Sequence, residues 1–406
     1  MPTQTLSITT SDGHTLDGAL EMPTGLVRGA AIFAHCFTCT KQSRAAISVA
    51  RSLARRGIAC LRFDFTGLGG SEGEFGRAGF ATDISDLVAV AGALRERFDT
   101  RLLLVGHSLG GAAVLAAAHE LGAKNVAAVA TIGAPSDVPH VLHNIKGDHD
   151  AIRVDGEGPV KIGGQSFSLS REFLERTEAV DLLDLVKEIR LPYLAMHAPT
   201  DTIVGIEHAG ALFSAAFHPK SFVSLDNADH LLTRKEDAEY AAETIAAWAE
   251  RYLPLSADWP TPESGVIVRT GHGKFATEVH TPNMRFLADE PISFGGEASG
   301  PTPYNLLNAA LGTCTAMTMK MYADRKEWPL EGVIVEVKHE REHGKDCDHC
   351  EEEGEGAKVQ AMHRRIEIKG DELSDDQRSR ILAIADRCPV HLTLEGHLHV
   401  HTESAD

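Results

Sequence analysis

The sequence holds no run of about 20 apolar residues, so no part of it is expected to cross a membrane as a helix. Positive charge is also in short supply. Lys and Arg number 39 against 58 Asp and Glu, a formal net charge of −19, which argues against nucleic acid and anionic membranes as partners. The opening stretch MPTQTLSITTSDG lacks both the basic start and the apolar core of a secretory signal. Cysteines are few: seven in 406 residues, odd in number and irregularly spaced. That excludes a disulfide framework and points to a reducing, cytoplasmic setting, where cysteines are core residues, ligands or redox groups. What remains is an ordinary globular composition, 43% hydrophobic, in a chain long enough for two or three domains.

The clearest local signal lies in residues 102–120. Leu102 to Val105 is a short apolar run, as in a strand buried on both faces, and Gly111 to His119 is alanine-rich and favours helix. Between them stands Gly106-His107-Ser108-Leu109-Gly110, a G-x-S-x-G. A serine there must turn sharply from strand to helix, with almost no room for neighbouring side chains. The two glycines make that room, and the hydroxyl is held above a sheet edge at a helix N-terminus. A hairpin is expected at Leu6–Glu21 around Asp12-Gly13. Strands are expected at Ala30–Ala34, Ile58–Phe63, Val126–Ile132, Tyr193–His197 and Ser221–Leu225. Helices alternate with them at Ser43–Arg56, Phe80–Phe98, Glu207–Ala216 and Ala238–Tyr252. This order predicts an α/β architecture, a parallel sheet covered on both faces. Residues 136–190, rich in glycine and charge with two short helical stretches, read as a lid over the sheet edge. The loop Asp64–Ser71 approaches a dinucleotide-binding G-x-G-x-x-G, but Glu72 stands where the third glycine belongs, which rejects a nucleotide site.

Two further residues fall where sheet sites form. Asp201 ends the loop Ala198-Pro199-Thr200-Asp201 after one strand, and His230 follows the last strand. With these, residues 1–254 resemble an α/β-hydrolase with a short lid. The resemblance implies that Ser108 is the nucleophile, Asp201 the acid and His230 the base, in the family's chain order. The chemistry requires such a set: the hydroxyl needs a base, and the base needs a carboxylate to fix its tautomer and stabilise its charge. Asp226 and Asp229 are nearby carboxylates, read as shaping the His230 turn. The oxyanion donors are expected to be the N–H groups of Leu109 and Phe37, the latter in His35-Cys36-Phe37, which resembles the family's His-Gly-x loop. Cys36 and Cys39 form a C-x-x-C, read as small buried thiols over a metal or redox pair, and Lys41 reads as a surface residue.

Pro254 to Ser264 is rich in proline and serine, which sets a linker at 255–264 and a second domain at 265–406. A hairpin is expected around Gly271–Lys274, and a long helix at Thr302–Arg325 with Leu307, Ala310, Leu311, Cys314, Met317 and Met321 along one face. Strands follow at Gly332–Glu340 and Ala361–Lys369, then a helix opened by the capping box Ser374/Gln377, then a last strand at His397–His401. Cys314 in Gly312-Thr313-Cys314-Thr315-Ala316-Met317-Thr318 and Cys388 in Cys388-Pro389-Val390-His391 resemble the OsmC family, which includes organic hydroperoxide reductases. The resemblance spans Gly265 to about Thr402 and implies an α+β, intertwined homodimer. Cys314 would reduce the peroxide and Cys388 would resolve the sulfenic acid. The family lowers the thiol pKa with an arginine, for which Arg269 and Arg285 are the candidates. Its partner glutamate is missing, because the family's Pro-x-Glu reads Pro303-Tyr304-Asn305 here. Cys347 and Cys350, with His343 just upstream, supply three of the four ligands a structural zinc site wants; the fourth is not evident, with His363 as a candidate. His391, His397, His399 and His401 read as core or interface residues.

The sequence therefore predicts a serine carboxylesterase for small acyl or aryl esters, without cofactor, fused to an OsmC-like dimerisation domain with an organic hydroperoxide as its possible substrate. Two alternatives remain open: hydroperoxide reduction as the main activity, or an OsmC-like part that only binds and assembles.

Overall fold

A computed structural model describes residues 2–405 apart from 140–141, 143–144, 163–164, 179, 254–260 and 344–357. Cys347, Cys350 and most of the expected linker lie outside the described residues. The chain divides into two compact units, residues 1–287 with 295–299 and residues 288–294 with 300–406. No helix among the described residues is long and apolar enough to cross a membrane.

The first unit is built on strands β1 (Thr3–Thr9), β2 (Thr15–Glu21), β3 (Gly29–Ala34), β4 (Ile58–Phe63), β5 (Leu102–His107) and β6 (Val126–Ile132). Helices α1 (Arg44–Arg55), α2 (Phe75–Phe98) and α3 (Leu109–Leu121) lie between them. Strands β3, β4, β5 and β6 are buried along their whole length, which is why they read as unbroken apolar runs. Helix α2 starts earlier than its periodicity suggests and kinks at Gly79, whose φ of +72° no side-chain-bearing residue adopts cheaply.

The expected lid is more ordered than its glycine content implies. It holds strands β7 (Lys146–Gly147), β8 (Glu157–Ile162) and β9 (Gln165–Ser170), paired antiparallel, with helices α4 (His149–Asp155), α5 (Arg171–Glu178) and α6 (Leu182–Glu188). Val160 and Ile162 alternate into the core, and that period makes β8 a strand despite Gly158 and Pro159. Strand β10 (Tyr193–His197), helix α7 (Ile206–Ala215), strand β11 (Lys220–Ser224) and helix α8 (Lys235–Ala249) complete the layer. The sheet order is β1-β2-β4-β3-β5-β6-β10-β11. It is mixed: the β1–β2 and β2–β4 pairs are antiparallel, and the pairs from β4 to β11 are parallel. Strands β12 (Ile267–Thr270), β13 (Thr277–His280) and β14 (Arg285–Ala288) form a separate small sheet. Glu278 of β13 accepts a hydrogen bond from the Leu26 N–H at 2.6 Å.

In the second unit, α9 (Pro303–Arg325) lies on the hairpin of β15 (Gly332–His343) and β16 (Lys358–Lys369), followed by α10 (Asp375–Ile384) and α11 (Pro389–Glu395). The Ser374/Gln377 capping box opens α10 as expected. Two expectations are corrected here. The packed face of α9 is Leu311, Thr315, Met319 and Ala323, whereas Met317 and Met321 are each 64% exposed. The apolar stripe read from the sequence thus lies largely on the outer side of this chain. Nor do residues 397–401 form a strand. Their alternation is real, but a strand requires a pairing partner, and Leu398 and Val400 stand exposed.

Lys41 is also corrected: it is buried, not a surface residue. Its ammonium donates to Asp17 at 2.7 Å and to the fully buried Asp64, while Asp64 also accepts from the backbone N–H groups of Lys41 and Gly70. Burial works to lower the Lys41 pKa, but the two carboxylates outweigh it and hold the ammonium above its usual range. Lys41→Met strands the Asp64 carboxylate without its counter-ion. It is expected to lower the stability of the first unit by about 3–5 kcal/mol, read as an earlier urea midpoint for that unit's transition. An unchanged midpoint would contradict the bridging role.

Candidate active site

The geometry at Ser108 follows from its glycines. Ser108 takes φ +55° and ψ −124°, outside the range an ordinary residue prefers, between the end of β5 and the first turn of α3. A Cβ on Gly106 would sit 2.2 Å from the Gly110 carbonyl oxygen, and one on Gly110 would sit 2.4 Å from that of His35. The second contact seats the start of α3 against the His35-Cys36-Phe37 loop. Leu109 is the first residue of α3, where helix geometry leaves the N–H without an intrahelical acceptor.

Ser108, Asp201 and His230 come together in one line. His230 Nε2 lies 2.8 Å from Ser108 Oγ, and His230 Nδ1 lies 2.7 Å from Asp201 Oδ2. The other Asp201 oxygen accepts from the backbone N–H groups of Ile203 at 2.8 Å and Val204 at 3.0 Å. Burial would raise the Asp201 pKa, but these bonds and the His230 ring hold its carboxyl below the usual range. Asp229 accepts from the N–H groups of Leu231 and Thr233, and Asp226 from Ser224, so both shape the turn around His230, as read from the sequence.

His107 is a residue whose part sequence reasoning missed. It is fully buried, its Nε2–H donates to the His230 carbonyl at 2.7 Å, and its ring lies 5.5 Å from that of His230. Burial, and then the neighbouring His230, press its pKa down to about 4. The signal was the x of G-x-S, a position that faces away from the serine.

Beside Phe37 and Leu109 lies a narrow cavity of about 20 Å³, walled by Phe65, Leu68, Phe75, Phe80 and Phe173. His35 also lines it, held neutral by burial, with Nδ1–H donating to the Cys36 carbonyl at 2.8 Å. Cys36 and Cys39, expected as free buried thiols, are joined in a disulfide. The turn that bonds Cys39 N–H to the Cys36 carbonyl brings their Cα atoms to 5.3 Å, within disulfide reach, and the bond closes over Phe37.

In the second unit, Cys388 is buried. Its Sγ accepts from the His391 N–H at 3.3 Å and lies 3.6 Å from Thr315 Oγ1. Burial pushes its pKa up, but bonds from Thr315, His391 and Cys314 and the charge of Arg364 outweigh burial and hold it below the usual thiol range. The arginine beside this cysteine is Arg364. Arg364 bonds Thr315, the Ala385 carbonyl, Asp386 and His391. Its signal was an arginine in the same strand register as Ile366 and Ile368, which pack on the core. His391 stands on α11, not on a strand. Among the described residues no cluster of three or more candidate metal ligands is present.

A model of the alpha/beta hydrolase family matches residues 29–290, more than half of the chain. The chain belongs to that family. A model described as OsmC-like protein matches residues 296–403, so the hydrolase domain is followed by an OsmC-like domain. The hydrolase part is similar to the esterase domain of a Rhodothermus marinus protein: 45% identity, 63% of this chain, all of that one, TM-score 0.53. Two more distant likenesses show the fold alone. Est1E from Butyrivibrio proteoclasticus, solved with ferulic acid, is 22% identical over 61% of this chain and 99% of its own, TM-score 0.54. GrgF from Penicillium sp. sh18 is also 22% identical, over 62% and 99%, TM-score 0.52. None of the curated proteins matches the chain.

The hydrolase offers a direct test of the His107 contact. Free imidazole has an ordinary pKa of about 6.5. A folded value of about 4 means the unfolded chain binds the proton more readily. This contribution is therefore fully present above pH 6.5 and is lost as pH falls toward 4. Between pH 7 and pH 5 the loss is about 2 kcal/mol. Asp86, raised to about 6 by burial, works in the opposite direction, so the comparison must be with His107→Gln. Wild type is expected to lose about 2 kcal/mol more than His107→Gln over that interval, measured by urea unfolding at both pH values. Equal losses would contradict the assignment.

Proposed function

We propose that this hydrolase is a serine carboxylesterase acting on esters with small acyl or aryl groups. The observation that carries the reading is the unbroken hydrogen-bonded chain from Ser108 through His230 to Asp201. The 45% identical esterase domain supports it. His230 Nε2 takes the Ser108 proton as Oγ attacks the ester carbonyl. The imidazolium that forms is stabilised by Asp201, whose lowered pKa keeps it ionised. The N–H groups of Leu109 and Phe37 receive the oxyanion. His230 then returns the proton to the leaving alcohol, and water, activated by the same ring, releases the acid. No cofactor enters these steps.

A second reading concerns the OsmC-like domain. Cys314 attacks an organic hydroperoxide, its sulfur gaining one oxygen as the O–O bond breaks and the alcohol leaves. The Cys388 thiolate then displaces hydroxide from that sulfenic acid to form a disulfide, and an external dithiol returns both sulfurs to thiols. What favours this is the polar setting that lowers the Cys388 pKa. Homodimerisation through this domain is supported by the exposed Met317 and Met321.

The two readings separate in one panel. Ser108→Ala is expected to lower kcat on 4-nitrophenyl acetate about 10⁵-fold while leaving dithiol-dependent turnover of cumene hydroperoxide unchanged. Cys314→Ser is expected to do the reverse. Esterase activity that survives in Ser108→Ala sinks the first reading. Peroxide turnover that is absent in wild type sinks the second.

A further inference from the structure

The loop that carries the Phe37 N–H holds a redox group that the mechanism does not use. Cys36 and Cys39 form the one disulfide among the described residues. It spans three residues, and a bridge that closes so short a loop restricts the unfolded chain least, so large stabilisation is not what it supplies. What it closes is a turn. The Cys39 N–H donates to the Cys36 carbonyl at 3.0 Å, and Thr38 between them takes φ +60°. A left-handed third residue belongs to turns that favour glycine or asparagine there, and a β-branched threonine resists it. The loop is anchored on either side. His35 Nδ1–H donates to the same Cys36 carbonyl at 2.8 Å, and the Lys41 N–H donates to Asp64 at 2.6 Å. Between these anchors the disulfide holds the threonine in its costly conformation.

We propose that Cys36–Cys39 is a thiol–disulfide exchange site that gates the hydrolase, active while the bridge is closed and slow once a dithiol has opened it. The inference rests on the esterase reading above, in which the Phe37 N–H receives the oxyanion. That N–H belongs to the peptide whose carbonyl is that of Cys36, and a planar trans peptide points the two groups in opposite directions. Fixing the carbonyl with two donors therefore aims the N–H, and among the described residues nothing accepts from it. With the bridge open, Thr38 leaves the left-handed region, the Cys39 N–H leaves the Cys36 carbonyl, and the Phe37 N–H loses its aim. Cys36 is buried and Cys39 half-buried, so a reductant reaches Cys39. One thiolate of the dithiol attacks Cys39 Sγ, the S–S bond breaks, and Cys36 leaves as a thiolate that takes a proton from water. The second thiolate of the dithiol displaces Cys39 from the mixed disulfide. Cys39 is protonated in turn, which leaves two protein thiols and a cyclic disulfide of the reductant. Cys60, the other cysteine of this unit, is buried on β4, and burial pushes its pKa up, so it supplies no competing thiolate.

The test reads kcat and KM on 4-nitrophenyl acetate for the full chain, once after oxidation with diamide and once after dithiothreitol and anaerobic desalting. Iodoacetamide labelling and mass spectrometry report the state of the pair. Misaligning one oxyanion donor should lower kcat by at least about 10-fold with KM little changed, and diamide should restore it. Cys36→Ser/Cys39→Ser should show the lower kcat under both conditions. Thr38→Gly takes the left-handed conformation without penalty, so its kcat should fall by less than about 3-fold on reduction. A wild-type kcat that is unchanged when labelling shows both thiols free overturns the proposal and leaves the esterase reading intact. So do cysteines labelled after diamide, a pair that dithiothreitol leaves unlabelled, a response that persists in Cys36→Ser/Cys39→Ser, and a Thr38→Gly loss equal to that of wild type. Ester turnover that survives in Ser108→Ala, or is absent from the oxidised wild type, overturns both.

Discussion

The hydrolase depends on a backbone that turns at Ser108 through a conformation side chains resist. Its φ of +55° holds the hydroxyl at the start of α3, and the turn closes only because Gly106 and Gly110 carry no Cβ. The 2.4 Å that a Cβ on Gly110 would leave to the His35 carbonyl measures how tightly α3 is seated on the neighbouring loop. That seating brings the Leu109 and Phe37 positions to the same cavity. The geometry of the proposed nucleophile and that of the proposed oxyanion donors are therefore one constraint, not two.

Buried polar groups hold the loops that complete the site. His107 bonds the carbonyl of His230, His197 bonds that of Val204 beside the Asp201 loop, and His35 bonds that of Cys36. Each histidine is almost fully buried and fixes a carbonyl of a site loop. On the other side of β3, Lys41 ties β2 to the loop after β4 through Asp17 and Asp64, and Arg62 meets Glu21 at 2.8 Å where both are buried. Such groups stabilise little when complete and cost a great deal when broken, so they define one arrangement of loops above the sheet.

The α/β order, the hairpin and the strand-to-helix turn at Ser108 were legible because each rests on local period or local turn chemistry. Asp201 and His230 were legible because both follow strands of a recognisable sheet. What escaped was set by neighbours distant in sequence. Lys41 reads as surface until Asp17 and Asp64 arrive beside it, and Cys36 and Cys39 read as thiols until their turn closes. In the OsmC-like domain, the stripe containing Met317 and Met321 was visible, but which face of α9 packs within the chain depends on Ile381 and Ile366. The final strand was read from alternation alone, and alternation does not supply the partner that a strand needs.

Activation of Ser108 Oγ by the ring of His230 is measured most directly by its phosphorylation with a dialkyl fluorophosphate. Diisopropyl fluorophosphate should place one adduct on the peptide carrying Ser108, found by mass spectrometry. The labelling rate should fall about a thousandfold in His230→Ala. An adduct on another residue, or a His230→Ala rate equal to that of wild type, would contradict the account.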